Sequence, residues 1–207
     1  MLDNGSDSDL MQETAARLKD DTSLTRVAIV SVPFPYGGKS KGRFVVPAKY
    51  LQVAMLNTMR ARFLGQARGL LSVDVDEFVE PFLSDGPHKT IFDLARARAV
   101  GCVTFTGRWA FAPHASGPQP QRVHDHTDPE ATCDNPKWCM VPGGWADRFA
   151  LAVHRPAGPL FGLTRSRSAR YWHFRATTTG WKTPRFETSP TGHRDPALVT
   201  AMQHHLP

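Results

Sequence analysis

Cysteine is scarce in this chain: Cys102, Cys133 and Cys139 are the only three, and none of them forms a CxxC pair. Three thiols cannot all pair, and without closely spaced cysteines a structural zinc site built from them is excluded. Reduced thiols in a reducing compartment are the expectation. Long hydrophobic runs are missing as well. No apolar stretch approaches the roughly 20 residues that span a bilayer, and residues 1–9 are acidic and polar, unlike a secretion signal. A soluble cytoplasmic protein with no transmembrane segment is expected, with peripheral contact through basic residues as the one membrane role left open. Blocks of like charge are also lacking. Lys and Arg number 25 against 19 Asp and Glu, a net charge of +6, but the arginines are spread along the chain. That distribution disfavours a nucleic-acid-binding module, while the basic balance suits a phosphate-bearing substrate. There is no internal repeat.

The 207 residues are 41% hydrophobic, enough for one α/β domain with a sizeable core. Residues 10–19 read as a helix, with Leu10, Ala15 and Leu18 facing inward and Ser6, Asp7 or Ser8 available as its cap. The run Arg26-Val27-Ala28-Ile29-Val30-Ser31-Val32 reads as a buried strand, ended by Pro33, Pro35 and Gly37-Gly38. Leu51, Met55, Met59 and Phe63 recur every four residues in a helix predicted over 48–67. Residues 70–76 form an apolar strand that finishes in acids. A short helix over 91–99 and a strand over 100–109 follow. Residues 113–136, rich in Pro, Gly, His and Asp, read as a long loop. Strand-like segments lie at 138–141, 149–153 and 171–176, and a final helix at 197–205. Alternating strands and helices predict an α/β fold with a mixed, mainly parallel sheet flanked by helices. In such sheets ligands bind beyond the carboxyl ends of the strands.

Asp74-Val75-Asp76-Glu77 is the segment with chemistry in it. Two acids two apart at a strand end point to one side by strand alternation. Paired hard oxygen ligands suit Mg²⁺ or Mn²⁺, and such a cation bridges a diphosphate and neutralises charge on a departing nucleotide. The bland alternative is an acidic turn on a solvated rim. His124-Asp125-His126-Thr127-Asp128 has ligand-type residues too, but its Pro- and Gly-rich setting offers no apolar frame, and an acceptor-binding or disordered loop is the better reading.

Two motifs carry a resemblance. Asp3-Asn4-Gly5-Ser6-Asp7 precedes Asp74-Val75-Asp76-Glu77-Phe78-Val79 in the order and roughly the separation found in GT-A glycosyltransferases, most closely the bacterial family-2-like and family-92-like group. Residues 1–79 resemble that group well. The likeness continues more weakly to about residue 182, through Lys137-Trp138-Cys139-Met140-Val141-Pro142, His154 on a following strand, and Trp172-His173-Phe174-Arg175. The resemblance implies a GT-A-like (Rossmann-like) domain over 1–185, with 186–207 a tail or short helix. It also implies a metal-dependent transferase that moves a sugar from a nucleotide-diphosphate donor to a glycan or lipid-linked acceptor, in bacterial surface polysaccharide synthesis.

The implied roles follow residue by residue. Asp3 would lie near the nucleotide base or ribose. Asp74 and Asp76 would hold metal and diphosphate, Asp76 as the direct ligand. Glu77 would support the metal shell or contact the sugar, and His173 would be a late metal or phosphate ligand; these two are the catalytic candidates. Arg175 and Lys182 would stabilise the leaving diphosphate. Beside these stand plainer readings: His154 as a hydrogen-bonded core histidine, Lys137 as a solvated strand end, and Trp138, Trp172 and Trp181 as core. The family's first strand–helix unit has no counterpart here, so the sequence reads as N-terminally truncated, which admits a second reading as a non-catalytic nucleotide-binding fragment. Spacing singles out no catalytic base among Glu77, Glu80, Asp85, Asp147 and Glu187.

Overall fold

The computed structural model describes residues 2–3, 8–20, 27–34, 50–80, 88–113, 117, 119–156, 161–175, 177 and 192–205. Asn4 to Asp7, Asp85, Trp181, Lys182 and Glu187 lie outside the described residues. The chain divides into two compact units, Met1–Arg62 and Phe63–Pro207.

In the first unit, β1 (Leu2–Asp3) pairs in parallel with β2 (Val30–Ser31), Leu2 opposite Val30 and Asp3 opposite Ser31. Helix α1 (Ser8–Asp20) connects them, the helical crossover that parallel neighbours require. Met11, Thr14, Ala15 and Leu18 share its half-buried side at the spacing of a helix face. The strand expected over 26–32 is only two residues long here, because 27–29 make no ladder. Helix α2 (Tyr50–Phe63) buries Leu51 and leaves Phe63 exposed, so the four-residue apolar stripe is covered only at its start.

The second unit is built on a six-stranded sheet. Its strands are β3 (Leu70–Ser72), β4 (Glu77–Val79), β5 (Cys102–Phe111), β6 (His126–Met140), β7 (Tyr171–Phe174) and β8 (His193–Arg194). The order is β3-β6-β5-β7-β4, with β8 on β6. Only β5–β7 is parallel, and the other pairings are antiparallel. The chain is thus mixed α/β as expected, but the expected predominance of parallel pairing does not hold. The reason is the connection between β5 and β6. It contains only a single 3₁₀ turn, Gln121–Val123, and without a crossover helix neighbouring strands run antiparallel.

The loop expected over 113–136 is a second correction, since 126–140 is one long strand. Pro129 and Pro136 suggested a loop. Both sit in interruptions of the β5–β6 ladder, one between the pairs Ala110–Thr127 and Arg108–Thr132, the other between Gly107–Cys133 and Phe105–Lys137. Proline is tolerated in a strand at such bulges. Residues 149–153 are not a strand either: Leu151 makes one isolated bridge to Pro156, and His154, placed on a strand by the resemblance, lies half-buried in a bend.

The bulges also bend the sheet. If it were flat, β3 and β4 would be four strand spacings apart, about 19 Å. Yet a tight turn joins them, with the Glu77 amide donating to the Asp74 carbonyl at 3.1 Å. The sheet must curl until its two edges meet at residues 74–77.

Helix α3 (Ile91–Ala97) is opened by a capping box. The Thr90 hydroxyl accepts from the Asp93 amide, and the Asp93 carboxylate accepts from the Thr90 amide, each at 3.2 Å. Ile91, Leu94 and Ala95 of α3 pack on Val103, Phe105, Cys139 and Tyr171. Gly107 is required on β5, because a Cβ there would meet the Tyr171 ring at 2.5 Å. Helix α4 (Pro196–His205) places Leu198 and Met202 on Trp172 and Phe174 of β7. Trp138 and Trp172 are fully buried, as read from the sequence.

Candidate functional site

Asp74, Asp76 and Glu77 lie where the two sheet edges meet, but strand alternation does not place them as expected. Asp74 follows β3, and Val75 and Asp76 occupy the corners of the turn. Val75 is 89% exposed, so the turn holds its shape by polar contacts and not by burial of its apolar residue. Three such contacts fix it. The Glu77 carboxylate accepts from the Asp74 amide at 2.8 Å. The Gln121 side-chain amide donates to the Val75 carbonyl at 2.7 Å. The Phe174 amide donates to the Asp76 carbonyl at 2.8 Å.

Beneath the turn lies a lysine. Lys137 Nζ is 2.7 Å from Asp74 Oδ2 and 2.8 Å from Glu77 Oε2, and its side chain is 1% exposed. The reading of Lys137 as a solvated strand end is therefore corrected. The bulge on β6 turns it inward, and two carboxylates compensate its charge. Glu77 is equally buried at 1%, while Asp74 keeps 37% of its side chain in solvent.

His173 sits opposite Glu77 in the β4–β7 ladder and opposite Trp109 in the β5–β7 ladder. Its Nε2 donates to Asp76 Oδ2 at 3.2 Å. Its Nδ1 faces Glu77 Oε1 and Cys133 Sγ, each at 3.6 Å. The Tyr171 hydroxyl lies 3.0 Å from that sulfur and donates to the Asn135 carbonyl at 2.7 Å. The imidazole stacks on Trp109, centroids 4.4 Å apart, and the Arg175 guanidinium lies 5.2 Å from the same indole. Arg175 Nε is buried and has no hydrogen-bond partner among the described residues.

Burial opposes charge on His173, but the hydrogen bond to Asp76, the contact with Cys133 and the Coulomb field of both outweigh it. The pKa is raised to about 9. Burial also opposes the Cys133 thiolate, yet the contacts with His173 and Tyr171 bring the thiol below its ordinary value. Burial raises Cys102 and Cys139 to about 12, so these two are inert core thiols.

Histidine and thiol act on stability with opposite signs. A raised His173 stabilises the fold fully below the unfolded value of about 6.5, and that contribution is lost as pH rises through about 9. A lowered Cys133 adds stability only as pH rises past its folded value towards 9. In Cys133→Ser the histidine alone remains. Its urea midpoint is expected to fall steadily between pH 6.5 and pH 9.5, and a flat profile would mean that the fold does not hold His173 charged.

The structure thus gathers Asp74, Asp76, Glu77 and His173 within hydrogen-bonded reach and sets Arg175 beside them across Trp109. Asp3 belongs to the other unit, on β1, and Lys182 lies outside the described residues. Sequence reading missed the inward Lys137, Cys133, Tyr171, Trp109 and the tether from Gln121. A lysine directly before Trp138-Cys139-Met140 was the available signal for burial.

Among the described residues no group of three or more His, Cys, Asp or Glu side chains forms a ready metal cage. The donor chemistry still fits one divalent cation of the Mg²⁺ or Mn²⁺ type. A carboxylate and an imidazole, Asp76 and His173, meet on a side chain rim 12–13% exposed, next to the more open Asp74. Cations that bind with substrate phosphates take only one or two protein carboxylates and complete their shell from phosphate and water.

No family model matches the chain, and comparison with curated proteins and with solved structures finds no match. No helix among the described residues is long and apolar enough to cross a membrane.

Proposed function

We propose that the chain is the metal- and nucleotide-handling part of a GT-A-like glycosyltransferase that takes a nucleotide-diphosphate sugar as donor. The observation that carries this reading is the meeting of Asp76 and His173 at 3.2 Å, from motifs 97 residues apart that the resemblance assigns to one site. Asp76 and His173 would hold Mn²⁺ or Mg²⁺, with Asp74 at its open side. The bound cation would supply Lewis-acid charge for the departing diphosphate.

The chain's own residues have separable tasks. Glu77 is committed to Lys137, to the Asp74 amide and to the His173 ring, so it orients the site and does not act as a base on acceptor. Trp109 holds the imidazole flat and presents Arg175 as a second positive group for phosphate. Asp3 and Lys182 keep the nucleotide and diphosphate roles that the resemblance implies. The acceptor would be a glycan or lipid-linked sugar of bacterial surface polysaccharide.

One observation favours a second reading. The Lys137 ammonium already neutralises Asp74 and Glu77, as it would in a nucleotide-binding fragment that keeps the architecture without turnover. Thermal unfolding with Mn²⁺ and UDP, GDP, CDP or TDP tests the proposal. One nucleotide is expected to raise the melting temperature by about 5 °C or more when present at 100 times its Kd, and only with metal. The same shift without release of nucleotide from any sugar donor favours the second reading. No shift with any nucleotide defeats both.

A further inference from the structure

The second unit holds a cavity of about 580 Å³ that the donor site does not use. That size suits a small-molecule ligand. Arg122, Val123, Asp125, Arg194, Val199 and Met202 line it. Two tethers join its wall to the acid turn. Gln121, next to Arg122, donates to the Val75 carbonyl at 2.7 Å. His124, between Val123 and Asp125, hydrogen-bonds through Nε2 to the Arg175 carbonyl. Its other ring nitrogen faces the carbonyls of Pro120 at 3.1 Å and Gln121 at 3.2 Å. The fully buried His124 thus pins the cavity wall to the end of β7, two residues from His173.

The lining has two chemistries. Arg194 is partly neutralised by Asp125 at 3.3 Å, whereas Arg122 has no carboxylate partner among the described residues. One positive charge therefore remains for an anionic group. Val123, 40% exposed, lies beside Val199 and Met202, an apolar floor that α4 rests on the β7 core.

We infer that this cavity is the acceptor site, and that its occupant carries an anionic group on an apolar body. The inference rests on the transferase reading, since the tethers matter only if residues 74–77 do chemistry. The acceptor's charge meets Arg122 and its apolar part meets Val123 and Val199, which leaves its sugar-accepting end towards the Asp76 turn.

Hexyl phosphate is the probe, titrated into the full-length chain and followed by backbone amide NMR, with inorganic phosphate and hexanol as head-only and tail-only arms. Hexyl phosphate is expected to shift the amides of Val123, Val199 and Gln203, and to bind at least 10-fold more tightly than either arm. Arg122→Gln is expected to weaken it about 10-fold and to leave the metal-dependent nucleotide stabilisation unchanged. Shifts elsewhere, equal binding by hexanol, or unchanged affinity in Arg122→Gln would overturn the assignment. If the cavity fails these tests while nucleotide stabilisation stands, only the acceptor assignment falls. If the cavity binds while no nucleotide stabilises the chain, the transferase reading falls and takes the acceptor role with it.

Discussion

Lys137→Met is expected to cost about 3–5 kcal/mol of folding stability, the usual loss when one partner of a buried ion pair is removed. Methionine has nearly the volume of the lysine stem, so little packing is lost. What remains is Glu77, 1% exposed and stripped of its cation. Asp74 suffers less because solvent reaches it. The effect is expected in the urea midpoint at unchanged slope. The double substitution Lys137→Met with Glu77→Leu is expected to recover much of the loss, because replacing both charges by apolar groups is often neutral. A loss under about 1 kcal/mol, typical of exposed pairs, would show that water reaches Lys137 and Glu77 and that the turn is held by other means.

Asp76→Asn is expected to lower the rate of nucleotide release from the sugar donor on the order of 10³-fold, in line with the several kcal/mol that metal charge contributes in such sites. It is also expected to abolish stabilisation by metal and nucleotide together. Asparagine keeps the shape and can still accept from His173 Nε2, so the chain should fold. The substitution removes the negative charge that, with Cys133, keeps His173 protonated, and the histidine pKa is expected to drop. A histidine titration by NMR separates this from simple unfolding. Glu130→Gln, an exposed carboxylate remote from the turn in the sequence, is the control. Equal loss in both variants would mean that general charge, and not the site, governs turnover.

Much of this was legible in the sequence, for reasons that differ by element. The four helices came from apolar spacing, and the meeting of Asp76 with His173 came from the motif resemblance. The sheet's direction was not legible. A strand–helix alternation predicts parallel pairing, but no crossover helix separates β5 from β6. Strand β6 was hidden by Pro129 and Pro136, since composition cannot tell a proline in a bulge from one in a loop. Lys137 was hidden because lysine is almost never fully buried unless paired. Its pairing with Asp74, 63 residues away, exists only once the sheet curls. The segment His124-Asp125-His126 read as an acceptor-binding or disordered loop, and it forms an ordered wall of the cavity, pinned by His124.

The most direct test of the central claim is calorimetric titration of the stabilising nucleoside diphosphate into the full-length chain, with and without Mn²⁺, in wild type and Asp76→Asn. A metal site shared by Asp76, His173 and phosphate predicts affinity at least 10-fold higher with Mn²⁺, lost in Asp76→Asn. It also predicts proton release on binding near neutral pH, because His173 must give up its proton to ligate. Equal affinity with and without Mn²⁺, or an unaltered metal effect in Asp76→Asn, would contradict it.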